Sequence, residues 1–359
     1  MTVLPDDAPG VVDTAPEGLD LDRLAPFLGP AVDGLAGTLR GSLIAGGRSN
    51  PTYHLTDGDR QWILRRPPYG LVLPTAHDMG RERRIISALA GTAVPVPRVV
   101  AHSDDPAVLG APFYVMDRLD GRTFRDHADT AEMTVAQRAA LSGSMIDTLV
   151  SLHELDPAER GLGDWGRPDG YLERQLRRWR RQWDSVRTRE IPEVDILLDR
   201  LASALPTSRF PGIVHGDYKI DNVMVDRVEP SRILGLLDWE MSTLGDTLSD
   251  LGLLISFWDQ PGEMYNPITA GATAHEGFPT RDELIDAYAT RRGVDLPDIN
   301  WYLVFADFKI AVILEQIHAR HLEGNTTGDW FDDIGGMVVP LVERAMQNAR
   351  SSADAALRP

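Results

Sequence analysis

The sequence predicts an α+β protein of two lobes, a small β-rich lobe followed by a larger helical one. Three observations carry this. Strand-like segments crowd into the first third, bounded by turn residues such as Asp57-Gly58-Asp59 and Pro67-Pro68. After Gly121 most patterned segments show the i, i+3, i+4 spacing of helices. The chain has 359 residues, more than one minimal core requires. A two-lobed chain is expected to keep its ligand site in the cleft between the lobes.

In chain order, residues 1–20 are rich in Pro and Asp and read as a flexible tail. A short helix is expected over 20–28, then strands over 39–45, 52–56 and 61–66. Residues 46–51 form a Gly-rich turn between the first two strands. A helix over 78–90 is followed by strands over 96–103 and 112–118. Helices are then expected over 131–155, 169–187, 194–204, 280–292, 300–322 and 332–350, interrupted by short strands over 223–226 and 232–237. This places the first lobe at residues 21–117 and the second at 118–359.

Composition narrows the function. The formal charge of −18 makes the chain a poor binder of nucleic acid, and either steers cations or keeps the chain soluble. With no cysteine there is neither disulfide nor thiolate zinc site. The longest apolar stretch, 251–258, is too short for a membrane span, and residues 1–22 lack a signal pattern, so a cytoplasmic protein is expected. Walker and nucleophile-elbow motifs are missing. Only two lysines occur, Lys219 and Lys309, and every other basic residue is arginine.

The segment richest in chemistry is His215-Gly216-Asp217-Tyr218-Lys219-Ile220-Asp221-Asn222, followed by Asp238-Trp239-Glu240. Asp217 offers a carboxylate that can take a proton, and Lys219 a cation beside it. Asn222 opens one short strand and Asp238 closes the next, so a single hairpin brings the two oxygens together. Few protein oxygens completed by phosphate suit Mg²⁺.

His-Gly-Asp-x-x-x-x-Asn followed by Asp-Trp-Glu resembles the aminoglycoside phosphotransferase and choline kinase family, within the protein-kinase-like fold. The resemblance implies a kinase using ATP or GTP with Mg²⁺ to phosphorylate a hydroxyl group of a small molecule. Asp217 would be the catalytic base, Lys219 would sit on the transferred phosphate, and Asn222 and Asp238 would hold the metal. His215 would be structural, and Asp250 would brace the loop from a buried helix. The stretches Ile63-Leu64-Arg65-Arg66-Pro67-Pro68 and Ala76-His77-Asp78-Met79-Gly80-Arg81-Glu82 resemble most closely the branch of kinase-like domains attached to acyl-CoA dehydrogenases.

On the nucleotide side, Gly46, Gly47, Ser49 and Asn50 could lie over a triphosphate, or be a plain turn. The fold normally grips phosphate with a lysine on its third strand, and none precedes residue 219. Arg65 and Arg66 are the candidates and face opposite ways. Arg65 is preferred, because Ile63 shares its face and can pack under adenine. Glu82, Ile85, Ile86 and Leu89 share one helical face, so a carboxylate on that apolar face needs a cation, and Arg65 is the expected partner. By resemblance Met116 and the backbone near Arg118 flank adenine.

Two acceptors fit the resemblance. A hydroxyacyl-CoA-type metabolite would want a basic groove, for which Arg174, Arg177, Arg178, Arg180 and Arg181 are candidates against a plain solvated face. A cationic aminoglycoside would suit the acidic chain. Aromatics of the second lobe, among them Trp179 and Phe257, are expected mainly as core. Glu315, His318 and His321 on one helix are read first as a solvated face, then as substrate lining, then as a weak metal site. The missing early lysine leaves a second reading, a pseudokinase-like nucleotide-binding module.

Overall fold

The computed structural model describes residues 16–44, 50–68, 78–263, 266–324 and 334–359. Gly46, Gly47 and Ser49, residues 332–333 and most of the expected tail lie outside them. The chain forms two compact units, one of residues up to Thr123 together with Asp221–Ser242, the other of Phe124–Ile220 and Thr243–Pro359.

The first unit is built on an antiparallel sheet of β1 (Arg40–Leu43), β2 (Thr52–Thr56), β3 (Gln61–Arg65), β4 (Val99–Ser103) and β5 (Phe113–Asp117), in the order β1-β2-β3-β5-β4. Alternation sorts its side chains. Tyr53, Leu55, Trp62, Leu64, Phe113 and Val115 form a core with Leu24 and Leu28 of α1 (Leu21–Ala31). Ile63, Arg65, Tyr114 and Met116 fall on the other face, and the register pairs Ile63 with Met116 and Arg65 with Tyr114. α2 (Met79–Leu89) begins where the Asp78 carboxylate accepts the Arg81 N–H at 3.0 Å. It buries Met79, Glu82, Ile85, Ile86 and Leu89. α3 (Pro106–Leu109) is a single turn between β4 and β5.

The β2–β3 hairpin depends on Asp57. Its Oδ1 accepts the N–H groups of Asp59 (3.1 Å) and Arg60 (2.7 Å), and its Oδ2 accepts the Ala36 N–H (3.0 Å) and the Arg60 guanidinium. Burial opposes ionisation, but these donors outweigh it and hold the carboxyl well below the usual range. Asp57→Ala should cost about 3 kcal/mol of stability at neutral pH, since it leaves buried donors unmade. Because the folded group is the stronger acid, this contribution is complete above about pH 5 and fades on acidification. Denaturant unfolding of both proteins across acid pH measures it, and a constant difference down to low pH contradicts it.

The sequence places one boundary at 117/118, whereas the hairpin of Val223–Val225 and Ile233–Leu236 groups with the sheet unit. Hydrogen bonds explain this. Arg122 and Val225 exchange both backbone bonds at 2.9 Å, and Leu236 N–H donates to Pro95 O.

The second unit holds α4 (His127–Ala131), α5 (Val135–Glu154), α6 (Tyr171–Val186), α7 (Pro192–Ser203), α8 (Leu248–Ser256), α9 (Arg281–Arg292), α10 (Ile299–Leu322) and α11 (Val338–Arg350). The helix expected over 131–155 begins at Val135, because Thr134 and Gln137 form a reciprocal capping box. One strand pair was not expected, Pro211–Val214 against Thr243–Asp246. It delivers the chain to His215 on one side and to α8 on the other. α10 packs on α6, α8 and α11, and every residue of α8 is buried.

Candidate active site

In the sheet unit, Arg65, Glu82, Met116, Asn222 and Asp238 line one cavity, together with Ile63, Tyr114 and Leu236. Arg65 Nη1 lies 2.6 Å from Glu82 Oε1, both nearly inaccessible to solvent, so the pairing expected from the apolar face of α2 is present. Burial opposes the charge of Arg65, but Glu82, Tyr114 and Asp238 outweigh it and keep the guanidinium protonated. Burial likewise pushes the Glu82 carboxyl up, against the pull of Arg65. Arg66 faces away and donates to the carbonyls of Gly18 (2.7 Å) and Leu109 (3.1 Å), which tie the sheet to its flanking chain.

The hairpin sets Asn222 and Asp238 side by side. Leu237 N–H donates to Asn222 O at 2.9 Å, and Val223 pairs with Leu236. Asp238 has φ +66°, a conformation costly for a residue with a Cβ and frequent at sites where a side chain must be aimed. Two side-chain oxygens at one cavity wall match the donor set Mg²⁺ takes beside phosphate. Arg118 and Asn50 do not line this cavity. The Arg118 N–H donates to Gln61 O (3.2 Å), leaving its neighbours Asp117 and Leu119 on the wall, and Asn50 O accepts the Thr52 hydroxyl.

In the helical unit, the loop after Val214 is held by Asp250 of α8. Asp250 Oδ2 accepts the His215 N–H (2.6 Å) and Oδ1 the Gly216 N–H (2.7 Å). Burial raises the cost of this charge, but His153, His215 and the Gly216 N–H outweigh it and keep the carboxyl below its usual range. His153 is itself pushed towards neutrality by burial. Its ring lies 3.3 Å from Asp250 Oδ2 and 2.7 Å from the Tyr288 hydroxyl, which assigns the proton to Nε2. The His215 ring accepts the Asp217 N–H at 3.3 Å.

The Asp217 carboxylate projects from this loop, with Lys219 Nζ 2.5 Å from Oδ2 and 5.3 Å over the Phe257 ring. Lys309 Nζ donates to Gly216 O at 3.1 Å and lies 5.6 Å over Trp179. Sequence reasoning gave Lys309 no role. The first part of α10, through Glu315, is buried on most sides, so no apolar stripe marks the odd position. The usable signal was the rarity of lysine, since both copies meet this loop.

Glu315 is on no solvated face. It is buried, and its carboxylate accepts from the Thr188 N–H and hydroxyl (both 2.7 Å) and from Arg189 (2.8 Å), closing α10 against the loop after α6. No group of three or more metal-ligating side chains that could hold a metal ion occurs among the described residues. Three of the α6 arginines are engaged by neighbours: Arg177 pairs with Glu173, Arg180 with Asp199, and Arg174 donates to the carbonyls of Arg167 and Asp169. No described helix is long and apolar enough to cross a membrane.

Known proteins share the sequence pattern and the fold of this chain. Residues 40–296 match the model of the phosphotransferase enzyme family. Acyl-CoA dehydrogenase family member 11 of Gallus gallus is 36% identical over 87% of this chain, which spans 40% of that protein's length. A crystal structure from Ralstonia eutropha, assigned as an aminoglycoside phosphotransferase, is 33% identical with a TM-score of 0.81, covering 93% of this chain and 99% of that one. Aminoglycoside 2′-phosphotransferase-IIIa, at 13% identity and a TM-score of 0.60 over 92% and 99% of the two chains, shares the fold. The chain therefore belongs to the phosphotransferase enzyme family and has its kinase-like fold.

Proposed function

We propose that this protein moves the terminal phosphoryl group of ATP or GTP onto a hydroxyl group of a small molecule. The observation that carries the reading is the pair of constellations joined by four residues of chain, 218–221: Asp217 on a loop braced by Asp250, and Asn222 with Asp238 on a cavity wall that also holds Arg65 and Glu82. In this reading residues 21–117 with the 223–236 hairpin bind the nucleotide, and the rest of 118–359 carries the base and the acceptor. Of the tail expected over 1–20, the described part is packed: Leu19 is buried in the core of the sheet unit and the Gly18 carbonyl accepts from Arg66.

Asp217 receives the alcohol proton as the new O–P bond forms, and the bond to the departing nucleoside diphosphate breaks. Lys219 supplies positive charge to the transferred group. Arg65, held by Glu82, grips the inner phosphates, its fork reaching two oxygens where a lysine reaches one. Asn222 and Asp238 would hold Mg²⁺, which neutralises phosphate charge when bound. Ile63 and Met116 give the base an apolar seat. The nucleotide assignment is supported by the fold, since solved members include complexes with AMP-PNP and with GDP.

For the acceptor, the surroundings of Asp217 support an anionic molecule of the hydroxyacyl-CoA type over an aminoglycoside. Lys219 and Lys309 both approach the loop, and the charge of Arg178 reaches Lys309. A polycationic sugar such as the hygromycin B bound by a distant fold neighbour would meet like charge there. The kinship with acyl-CoA dehydrogenase family members supports the same choice.

The test offers ATP or GTP with Mg²⁺ and a panel of hydroxylated acceptors, following nucleoside diphosphate release and the phosphorylated product. Acceptor-dependent turnover, faster with a hydroxyacyl thioester of CoA than with an aminoglycoside, is expected. Nucleotide binding with no acceptor phosphorylated would leave the pseudokinase-like module as the better description.

A further inference from the structure

We propose that Lys309 is a positioning residue for Asp217, fixing the Gly216–Asp217 peptide through the Gly216 carbonyl and setting a positive charge beside the carboxylate. The inference rests on the reading of Asp217 as the base.

Gly216 has φ +87°, where backbone without a Cβ moves freely. Both of its polar groups are nevertheless held, the N–H by Asp250 at 2.7 Å and the carbonyl by Lys309 at 3.1 Å. Asp250 holds the peptide entering Gly216. The peptide leaving it, which aims Asp217, is held at its N–H by the His215 ring and at its carbonyl by Lys309. Placing an ammonium here carries a desolvation cost, because Lys309, itself half-buried, is flanked along α10 by the buried residues 305–308 and 310–312. A carbonyl and the Trp179 face offset only part of it.

The residue type is equally specific. Every basic position outside this loop and Lys309 is arginine. A planar guanidinium spreads its charge over a fork, while an ammonium concentrates it at a point with rotatable donors, which suits one carbonyl beside a carboxylate. The charged groups that face Lys309 are Asp217 and Lys219 of the loop, Asp250 of α8 and Arg178 of α6. Burial pulls Lys309 down to about 8, opposed by Asp217 and Asp250 and reinforced by Arg178 and Lys219.

A chain of two lysines allows a direct test. Protein labelled with carbon-13 at the lysine ε position gives two lysine signals, assigned with Lys309→Arg. The Lys309 signal is expected to titrate near pH 8, and Asp217→Asn to lower its midpoint, because Asp217 helps to hold the proton. A midpoint near the ordinary value of about 10.4, or one that Asp217→Asn leaves in place, overturns the proposal. This arm needs no turnover, so a wild-type protein without phosphotransfer would defeat the functional reading and leave the juxtaposition of Lys309 and Asp217 decided on its own.

In the kinetic arm, Lys309→Met should lower kcat by about 30-fold with nucleotide KM changed less than about threefold. Lys309→Arg should recover part of the loss and remove a decline in kcat that the wild type shows as pH rises through about 8. A Lys309→Met kcat within about threefold of wild type contradicts the proposal. So does an alkaline decline that persists unchanged in Lys309→Arg.

Discussion

Asp217→Asn should lower kcat for phosphoryl transfer by about 10³-fold, close to 4 kcal/mol of transition-state stabilisation, while nucleotide affinity stays within a few-fold of wild type. The substitution keeps the shape of the side chain and the backbone bond from the Asp217 N–H to the His215 ring. It removes the one property the mechanism needs, an oxygen able to accept the alcohol proton. The Asp250 braces to His215 and Gly216 do not involve the Asp217 side chain, so the loop should stay in place. Lys219 loses its ion pair, but Phe257 still lies beneath it. Turnover within about threefold of wild type removes Asp217 from the role of base. An equal fall in nucleotide binding would mean that the carboxylate serves the fold instead.

How far the site could be read in advance depended on whether a local rule was broken. Glu82 was legible because a carboxylate on the apolar face of a helix violates amphipathicity, and its partner had to be an arginine on the facing strand. Asn222 and Asp238 were legible because two short strands with a turn between them fix which residues meet. Asp250 needed the resemblance, since a first-turn aspartate is an ordinary helix feature in isolation. Lys309 was illegible by pattern, because the first half of α10 is apolar nearly all round and periodicity cannot mark one face of it. The strand pair Pro211–Val214 and Thr243–Asp246 escaped for another reason. Each strand has only four residues, and Pro211, Gly212 and Gly245 dilute the β signal, which tertiary pairing then supplies. The boundary at residue 117 failed to anticipate that the 223–236 hairpin returns to the sheet unit, because the bonds responsible, Arg122 to Val225 and Leu236 to Pro95, join residues about 100 or more positions apart.

The second large effect is expected at Glu82, where stability and nucleotide binding can be separated. Glu82→Ala leaves the Arg65 guanidinium buried without its carboxylate, and breaking a buried pair from one side costs about 3–5 kcal/mol. Denaturant unfolding should show that loss. Arg65→Met in the same chain removes the stranded charge, and the double variant should regain most of the stability, since a buried ion pair exchanged for apolar side chains is often near neutral. Binding should not recover with it. If Arg65 grips the inner phosphates, the double variant is a stable protein with a cavity that has lost its buried cation, and nucleotide affinity stays at least about tenfold weaker than wild type. Recovery of both properties would make the pair a structural feature of the sheet and α2 alone. Failure to recover stability would mean that the Tyr114 hydroxyl and the Asp238 carboxylate, which also act on Arg65, need the guanidinium as much as Glu82 does. Recovery of stability without affinity is the pattern required of an arginine standing where this fold ordinarily places a lysine.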